Sequence, residues 1–257
     1  EKIMDKRIGA QLYTVRNFVQ DEAGFQSTMK KLSDIGFKAV QISGVGNIRP
    51  EVMREICEKN NLAISCTHKS FEDYRDNCDK MIEFHKALGC DIAGLGCFPD
   101  EYKVDDVEVL DRGIEVLNNV CDKMRSEGID FAYHNHAFEF SRLSNGQSMF
   151  ERIIEKGKFN VIFDTYWATA AGFDAADWLE KLGERACVLH YKDMKTRFDN
   201  SSYYAPVGEG NMNFDKIVKA SEKSRWAMIE QDSCDGEDPI VCLERSYRYL
   251  TSKYDFI

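Results

Sequence analysis

The stretch YHNHAFEF, residues 133–140, restricts the fold of this sequence more than any other. His134 and His136 are two of only five histidines in the 257-residue chain, and they directly follow a short apolar run. In a β-strand, side chains two residues apart point to the same face. We therefore expect both imidazoles to project from one face at a strand end, with Asn135 on the other face.

Three later stretches repeat this layout, an apolar run that ends in a side chain able to bind metal. The runs and the residues that end them are 161–163 with Asp164, 187–189 with His190, and 227–229 with Glu230. Starting from His134, the successive intervals are 30, 26 and 40 residues, which is about one strand–helix–strand unit each. The spacing predicts that the four side chains meet at one end of a parallel sheet.

Apolar strand-like stretches alternate with amphipathic helical ones along the whole chain. The predicted strands are 7–14, 37–42, 62–67, 91–96, 129–133, 159–163, 186–189 and 226–229. The predicted helices are 25–35, 50–57, 71–88, 107–124, 148–154, 175–182, 214–221 and 239–254, with Gly36 and Gly89 as end signals. No stretch has the pattern of a β-hairpin. Eight alternations predict an α/β fold, a (β/α)₈ TIM barrel formed as a single domain by residues 1–257.

A doubly wound open sheet is the competing architecture. It is disfavoured because the glycine pattern of a dinucleotide site is missing. Residues 44–46, 94–96 and 208–210 are bare GxG sequences with no glycine three residues further on. A length of 257 residues is also ordinary for one barrel domain.

The net charge of −10 limits the classes of partner. A nucleic-acid backbone needs a positive protein surface, and no long basic cluster is present, so we expect no nucleic-acid partner. The same charge disfavours a membrane surface, and no apolar run approaches the about 20 residues that span a bilayer. A small molecule, with local positive charge supplied by a metal, fits the composition better.

The nine cysteines contain no CxxC pair, and several lie within apolar periodic runs. This pattern is typical of small buried hydrophobic residues in a reducing compartment, and it favours neither a zinc–thiolate site nor a disulfide framework. We therefore expect a cytoplasmic protein. The sequence begins at Glu1 without a methionine, so a leader removed from a secreted chain stays open as the alternative.

The side chains expected at the strand ends mix imidazole and carboxylate groups. Such a set suits a divalent transition metal, and Mn²⁺, Zn²⁺, Co²⁺ and Fe²⁺ all stay open. Calcium prefers a shell made of oxygen atoms alone. A set without cysteine also argues against a structural zinc site.

Six motifs spread over nearly the whole chain carry a resemblance to a known family. They are residues 9–16 (GAQLYTVR), 133–136 (YHNH), 163–167 (FDTYW), 189–193 (LHYKD), 207–210 (VGEG) and 229–232 (IEQD). The chain resembles the xylose isomerase-like TIM barrels known as sugar phosphate isomerases/epimerases. That group includes ketose 3-epimerases, inosose dehydratase and the distant endonuclease IV enzymes, so the motifs indicate the superfamily and leave the substrate open.

The resemblance implies one divalent metal held by a Glu, an Asp, a His and a second Glu from successive strand ends. Asp164, His190 and Glu230 match the last three positions. At the first position His134 stands where many epimerases have a glutamate in the sequence Leu-Glu-Asn-His. Barrels of this kind often form dimers or tetramers, so a homo-oligomer is also among the expectations.

The resemblance also suggests roles in catalysis. Glu230 is expected as metal ligand and base, with His134 or His136 moving the second proton through an enediolate of a keto-sugar. Epimerisation, aldose–ketose exchange and dehydration all stay open at such a site. The expected substrate-binding residues are His68, Lys192, Arg197, Trp167 and Gln11.

The leading hypothesis is a metal-dependent isomerase or epimerase in carbohydrate metabolism, acting on a sugar or sugar phosphate. A dehydratase or lyase acting on a keto-sugar or keto-inositol is the second. A non-catalytic sugar-binding barrel is the third, because His134 replaces a glutamate of the acid–base pair. A DNA-repair nuclease is the weakest, since the net charge is −10 and five histidines are too few for a multi-metal cluster.

Overall fold

Eight parallel strands form a barrel in the computed structural model, which describes residues 8–254. All strands of the described chain are β1 (Ile8–Gln11), β2 (Ala39–Ile42), β3 (Ala63–Thr67), β4 (Ile92–Leu95), β5 (Asp130–His134), β6 (Asn160–Asp164), β7 (Val188–Tyr191), β8 (Asp193–Thr196), β9 (Ser202–Ala205) and β10 (Trp226–Ile229). The barrel order is β3-β2-β1-β10-β7-β6-β5-β4, and its hydrogen-bonded pairs are parallel. This confirms the predicted (β/α)₈ TIM barrel.

Helices follow the barrel strands and cover the outside of the sheet. They are α1 (Glu22–Ile35), α2 (Pro50–Lys59), α3 (Phe71–Leu88), α4 (Val107–Ser126), α5 (Met149–Lys156), α6 (Thr165–Ala170), α7 (Ala175–Leu182), α8 (Phe214–Ala220) and α9 (Pro239–Lys253). Short 3₁₀ helices span Leu12–Phe18, Asp100–Tyr102, Phe138–Phe140 and Gly183–Arg185. Gly36 and Gly89 have positive φ and end α1 and α3, as predicted.

The barrel closes between β3 and β4 just beyond the end of β3. The amide of Lys69 donates to the Gly94 carbonyl at 2.9 Å, and the amide of Gly96 donates to the Lys69 carbonyl at 3.3 Å. Glycine is required at position 94, because a Cβ there would lie 2.0 Å from the Thr67 carbonyl oxygen. A side chain at that position would force the two strands apart.

The interior of the barrel is filled by small and medium apolar side chains, one or two from each of seven strand regions. They are Ala39, Cys66, Ile92, Ala132, Ile162, Cys187, Val188 and Met228. Two larger apolar clusters fill the layer between the sheet and the helices. The nine cysteines are free and seven of them are buried, in agreement with the prediction that most pack as small hydrophobic residues.

Three local features differ from the sequence prediction. The first strand ends at Gln11 rather than residue 14, because the Gln11 side chain accepts the Tyr13 amide and starts a 3₁₀ helix. The part of that predicted strand before residue 8 lies outside the described residues. A short helix, α6, follows β6 directly. Between β7 and α8 the chain forms the antiparallel hairpin β8–β9, where Asn200 adopts the positive φ of 68° needed by the turn.

No helix within residues 8–254 is both long enough and apolar enough to cross a membrane.

Candidate metal centre

A layer of polar side chains lies directly above the apolar interior, at the carboxyl ends of the strands. On seven strands the polar residue stands two positions after a small or apolar one, so both face the barrel interior. These pairs are Gly9 and Gln11, Ala39 and Gln41, Cys66 and His68, Ala132 and His134, Ile162 and Asp164, Val188 and His190, and Met228 and Glu230. The structure thus brings together the residues that the sequence spacing had selected.

Four members of this layer form a buried cluster of metal-ligand type. The ligand atoms of His134, Asp164, His190 and Glu230 all lie within 4.8 Å of one another. None of the four residues is more than 4% exposed. Two imidazole nitrogens and two carboxylate oxygens at this spacing can hold a divalent cation.

The outer nitrogens of both histidines are held by neutral acceptors. His134 Nδ1 lies 3.0 Å from the Gly96 carbonyl oxygen, and His190 Nε2 donates to Gln41 Oε1 at 2.8 Å. The inner nitrogens consequently face the carboxylates. Such outer partners are typical of metal-binding histidines, because they fix the ring orientation and leave the inner nitrogen for the cation.

One carboxylate oxygen of Asp164 and one of Glu230 face this centre. Asp164 Oδ1 caps α6 by accepting the Trp167 amide at 3.0 Å, while Oδ2 lies 3.3 Å from His134 Nε2 and 3.5 Å from His190 Nδ1. Glu230 Oε2 lies 2.9 Å from His190 Nδ1. A neutral His134 has one proton for two acceptors, the Gly96 carbonyl and Asp164. A cation shared by Nε2 and Asp164 would satisfy both groups, so the donor set fits a metal.

Strong charge interactions accompany this burial. Burial opposes ionisation of Asp164, yet Lys192 and hydrogen bonds from both histidines hold the pKa of Asp164 well below its usual range. Burial likewise disfavours the His190 cation, but Glu230 and Asp164 raise the pKa of His190 to about 9. For His134 burial prevails, and its pKa falls to about 4. A metal ion bound at His190 Nδ1 would replace the proton held there.

Lys192 is the fifth charged group of the centre and is only 1% exposed. Its Nζ lies 2.7 Å from Asp232 Oδ1, 3.3 Å from Glu230 Oε2 and 3.4 Å from Asp164 Oδ2. Against the cost of burial, these three carboxylates raise its pKa above the usual range. Lys192 is therefore an ammonium enclosed by acids, not a solvated loop residue.

A cavity of about 600 Å³ opens above the cluster. Its size is typical of small-molecule sites. Four of the five predicted substrate-binding residues line it: Gln11, His68, Trp167 and Lys192. His134, His136 and Glu230 also line it, and Tyr13, Phe71 and Phe98 add aromatic surface. The candidate acid–base groups and the candidate binding groups therefore face the same space.

Besides His190 Nδ1, which faces the two carboxylates, three side chains of the polar layer carry a nitrogen without a hydrogen-bond partner. These are Gln11 Nε2, Gln41 Nε2 and His68 Nε2, all shielded from solvent. Buried polar groups are normally paired, because an unpaired one costs about 1–3 kcal/mol. Gln11 and His68 line the cavity, where a bound polar molecule can supply the missing partner.

His136 lies beyond the end of β5 and outside the four-residue cluster. Its ring stands beside His134, with 4.6 Å between ring centroids, so the two imidazoles are adjacent as predicted. Asn135 points elsewhere, and its amide oxygen accepts the Asp164 amide at 2.9 Å. The His136 backbone is held by buried Glu139, whose Oε2 accepts the His136 amide at 2.7 Å. His136 Nδ1 has no hydrogen-bond partner.

Arg197, the fifth predicted substrate-binding residue, lies on the β8–β9 hairpin and does not line the cavity. Its guanidinium pairs with Asp235 at 2.7 Å and lies over the Tyr203 ring. The structure therefore places Arg197 among surface contacts of the hairpin, apart from the other candidate residues.

The VGEG motif has a structural reason in the loop before α8. The Asp193 carboxylate accepts the amides of Gly208 at 2.9 Å and Gly210 at 3.0 Å. A Cβ at Gly210 would lie 2.3 Å from Asp193 Oδ1, so the close approach requires glycine. Asp193 thus anchors a loop, while its neighbour Lys192 faces the centre.

Sequence reasoning missed three residues that shape the site. Gln41 is a fully buried amide at the end of an apolar strand, and that contrast is a usable signal. Asp232 stands two residues after Glu230, the spacing that places both on one side of an extended chain. Glu139 has no local signal, since its partner Tyr133 lies in another element and the contact depends on the fold.

The fold and the cluster together define a TIM barrel with a candidate metal site at the carboxyl face of its strands. The family model described as xylose isomerase-like TIM barrel matches residues 29–240. The chain belongs to that family, as its motifs had indicated.

Solved structures show the same architecture over almost the full chain. A sugar phosphate isomerase/epimerase from Parabacteroides distasonis is 20% identical, with a TM-score of 0.84 and coverage of 100% of this chain and 98% of its own. The probable 3-DHS dehydratase AsbF from Bacillus anthracis is 11% identical, with a TM-score of 0.76 and coverage of 96% and 100%.

A xylose isomerase-like TIM barrel protein from Mycobacterium smegmatis, in complex with magnesium, is 17% identical. Its TM-score is 0.70, and the match covers 95% of this chain and 94% of the other. Among curated proteins none matches the sequence. At these identities the likeness establishes the fold, while the neighbours named above differ in their reactions.

Proposed function

We propose that this protein is a metal-dependent isomerase or epimerase acting on a keto-sugar or its phosphate ester. The observation that carries the proposal is the cluster of His134, Asp164, His190 and Glu230, with ligand atoms within 4.8 Å, beneath a cavity of about 600 Å³. Family membership and the likeness to a sugar phosphate isomerase/epimerase support the same class.

The four residues of the cluster would hold one divalent ion. Two imidazoles with two carboxylates favour Mn²⁺, Zn²⁺, Co²⁺ or Fe²⁺ over an ion that prefers oxygen alone. When bound, the ion supplies Lewis-acid polarisation of a substrate carbonyl, which acidifies the C–H bond next to it.

Proton transfer is assigned to side chains that face the cavity. Glu230 takes the proton from the carbon beside the carbonyl, and the C–H electron pair becomes part of an enediolate. His136, which lines the cavity and has Glu139 Oε1 3.9 Å from its Nδ1, returns a proton. Return to the opposite face of that carbon gives an epimer, whereas return to the neighbouring carbon exchanges aldose and ketose. His134 is less suited, because Gly96 and Asp164 engage both its nitrogens.

Substrate hydroxyls are assigned to the unpaired donors of the polar layer. Gln11 and His68 line the cavity, and the Nε2 atom of each has no hydrogen-bond partner, so substrate hydroxyls can complete their hydrogen bonds. Trp167 offers an aromatic surface for the apolar face of a sugar ring, and Lys192 an ammonium. Arg197 is left out of the proposed site, since it lies on the hairpin away from this lining.

A second cavity beside the first one offers space and positive charge for an anionic substituent such as phosphate. It measures about 570 Å³ and shares Ser43, His68 and Lys69 with the first cavity. Arg49 and Lys69 supply its positive charge, and no carboxylate is among its described lining residues. Lys69→Met should therefore raise KM for a sugar phosphate more than for the unphosphorylated sugar.

Elemental analysis of protein purified without chelator tests the metal. We expect about one transition metal per chain in the wild type, and loss of it in both His190→Ala and Glu230→Ala. A wild-type protein that stays free of metal after incubation with Mn²⁺ or Zn²⁺ contradicts the proposal. Tight sugar binding without turnover would instead point to a non-catalytic binding barrel.

Reaction in D₂O then separates the isomerase from a second candidate, a dehydratase or lyase. That alternative is favoured by His136, which can protonate a departing β-hydroxyl, and by the likeness to the probable 3-DHS dehydratase. Solvent deuterium in recovered substrate, or in an isomer of the same composition, identifies the isomerase or epimerase. A product lighter by one water identifies the dehydratase.

A further inference from the structure

We infer that Lys192 is an internal counter-ion, which neutralises the carboxylates of the centre until a divalent cation binds and then passes to Asp232. The inference rests on the proposed metal dependence. It adds that the centre is built to stay folded in two charge states, with lysine or with metal at the same carboxylates.

Lys192 and the ligand cluster share two carboxylate oxygen atoms. Lys192 Nζ approaches Asp164 Oδ2 at 3.4 Å and Glu230 Oε2 at 3.3 Å. These are the same two atoms that face His190 Nδ1 within the ligand cluster. A metal ion and the ammonium therefore compete for the same negative charge.

Lys192 also has a closer partner outside the cluster. Asp232 Oδ1 lies 2.7 Å from Nζ, which is shorter than either contact with the ligand oxygens. Asp232 is not one of the four clustered ligands. When a dication takes the charge of Asp164 and Glu230, Lys192 retains a full ion pair with Asp232.

Three aromatic rings surround the Lys192 ammonium. Nζ lies 5.0 Å from the ring centroid of Trp167, 5.3 Å from that of Tyr204 and 5.8 Å from that of Tyr166. A cation is attracted to such ring faces, and the rings leave Lys192 only 1% exposed. The enclosure keeps the ammonium beside the site in either state. Tyr204 belongs to the hairpin strand β9, which gives the hairpin a part in this enclosure.

Two consequences follow for metal binding. The metal-free protein is protected from the repulsion of unpaired buried carboxylates, which would be severe without a cation. Metal affinity is in turn lower than the four ligands alone would give, because binding must separate Lys192 from two of its partners. A doubly charged ion is favoured over a singly charged one in this competition.

Titration calorimetry with Mn²⁺ and Zn²⁺, without any sugar, tests the inference. Lys192→Met keeps the aliphatic stem and removes the charge, so we expect metal affinity to rise by about ten- to a hundredfold. The metal-free variant should melt at a lower temperature than the wild type, and metal should raise its melting temperature by more. Lys103→Met is the matched control, because Lys103 lines the cavity but pairs with Asp100. The metal affinity of this variant should equal that of the wild type.

Asp232→Asn should change metal affinity in the opposite direction. It tests the inference even if Lys192→Met does not fold. Without Asp232 the displaced ammonium has no remaining carboxylate, so metal affinity should fall by about tenfold. If Lys192 serves packing alone, Lys192→Met should bind metal equally well or more weakly, and Asp232→Asn, which keeps all four ligands, should bind it unchanged. Equal or weaker binding by Lys192→Met, or unchanged binding by Asp232→Asn, overturns the inference.

These outcomes are separate from those that test the proposed function. If the wild type binds metal and Lys192→Met binds no tighter, the inference fails while the metal-dependent function stands. If neither protein binds metal, both fail. If the affinities shift as expected and no keto-sugar is converted, the function fails alone.

Discussion

His85 and His190 are both fully buried, yet their surroundings give them opposite charge states. His85 lies on the buried face of α3, with Nε2 2.7 Å from Thr67 Oγ1 and Nδ1 2.6 Å from the Met81 carbonyl oxygen. Burial lowers the pKa of His85 to about 4. At the strand ends, Glu230 and Asp164 outweigh burial and raise the pKa of His190 to about 9.

The difference shows that burial alone does not identify a functional histidine. Each nitrogen of His85 has a neutral partner, which makes it a satisfied core residue, as its place within a predicted helix had suggested. His190 faces the carboxylates of Asp164 and Glu230, and Lys192 lies against the same two oxygen atoms. The surroundings of His85 and those of His190 should therefore differ in their contributions to stability and to metal binding.

The largest effect is expected from Asp164→Ala. This change removes a buried partner of Lys192 and His190, so we expect loss of metal binding and a decrease of about 3–5 kcal/mol in the free energy of unfolding. Asp174→Ala is the control, because Asp174 also caps a helix but lies near the surface, and it should cost only about 1 kcal/mol. Urea unfolding of both metal-free variants gives the comparison. Equal costs would show that the centre adds nothing beyond a helix cap.

A pH effect of similar size is expected from His85. Its folded pKa of about 4 lies below the unfolded value of 6.5, so protons bind preferentially to the unfolded chain as the pH falls between these values. This linkage removes at most about 3 kcal/mol of stability below pH 4, and none of it above pH 6.5. The nearby Lys69 ammonium acts in the same direction.

His85→Gln removes the ionisable group and should flatten that part of the curve. The free energy of unfolding of the metal-free proteins, measured from pH 7 to pH 4, checks this. The other titrating groups, including His134, are common to both proteins. Parallel curves for wild type and variant would contradict a neutral buried His85.

A smaller effect is expected when the outer partner of His190 is removed. Gln41→Leu takes away the acceptor of His190 Nε2, so the ring loses its fixed orientation. We expect metal affinity to fall by about ten- to a hundredfold while the four ligands remain. Calorimetric titration measures the change, and Gln147→Leu, at a surface glutamine bonded to Glu155, serves as control. Unchanged metal affinity in Gln41→Leu would show that Gln41 has no role in metal binding.

The smallest effect is expected from Arg197→Ala. The guanidinium pairs with Asp235 on the hairpin surface, where ion pairs contribute little, so metal affinity should be unchanged. Calorimetric titration of Arg197→Ala with metal measures this affinity. A marked loss of metal affinity would show that Arg197 acts on the metal centre, which goes beyond the substrate contact predicted for it from the sequence.

Much of the fold could be predicted from the sequence because it depends on local periodicity. The alternation of apolar strands with amphipathic helices, and the glycines at the ends of α1 and α3, are local patterns. The candidate ligands were found for a related reason. His134 and Asp164 end apolar runs, and the carboxyl ends of parallel strands share one face of the barrel.

What could not be predicted depends on contacts between distant parts of the chain. The partners of Lys192 include Asp232, 40 residues further on, so its burial appears only when β7 and β10 pair. The β8–β9 hairpin was missed because its turn relies on Asn200, a weaker hairpin signal than an Asn-Gly pair. The first strand was drawn too long because the Gln11 side chain, not the apolar pattern, ends it.

The position of β10 in the barrel has a consequence for how the protein is made. β10 pairs with both β1 and β7, so it joins the first strand to the seventh. A nascent chain that ends before residue 226 lacks both β10 and Glu230, so it can form neither the closed barrel nor the four-residue cluster. Strands emerge from the ribosome in order. The cluster of His134, Asp164, His190 and Glu230 is thus completed only late in synthesis, when β10 closes the barrel.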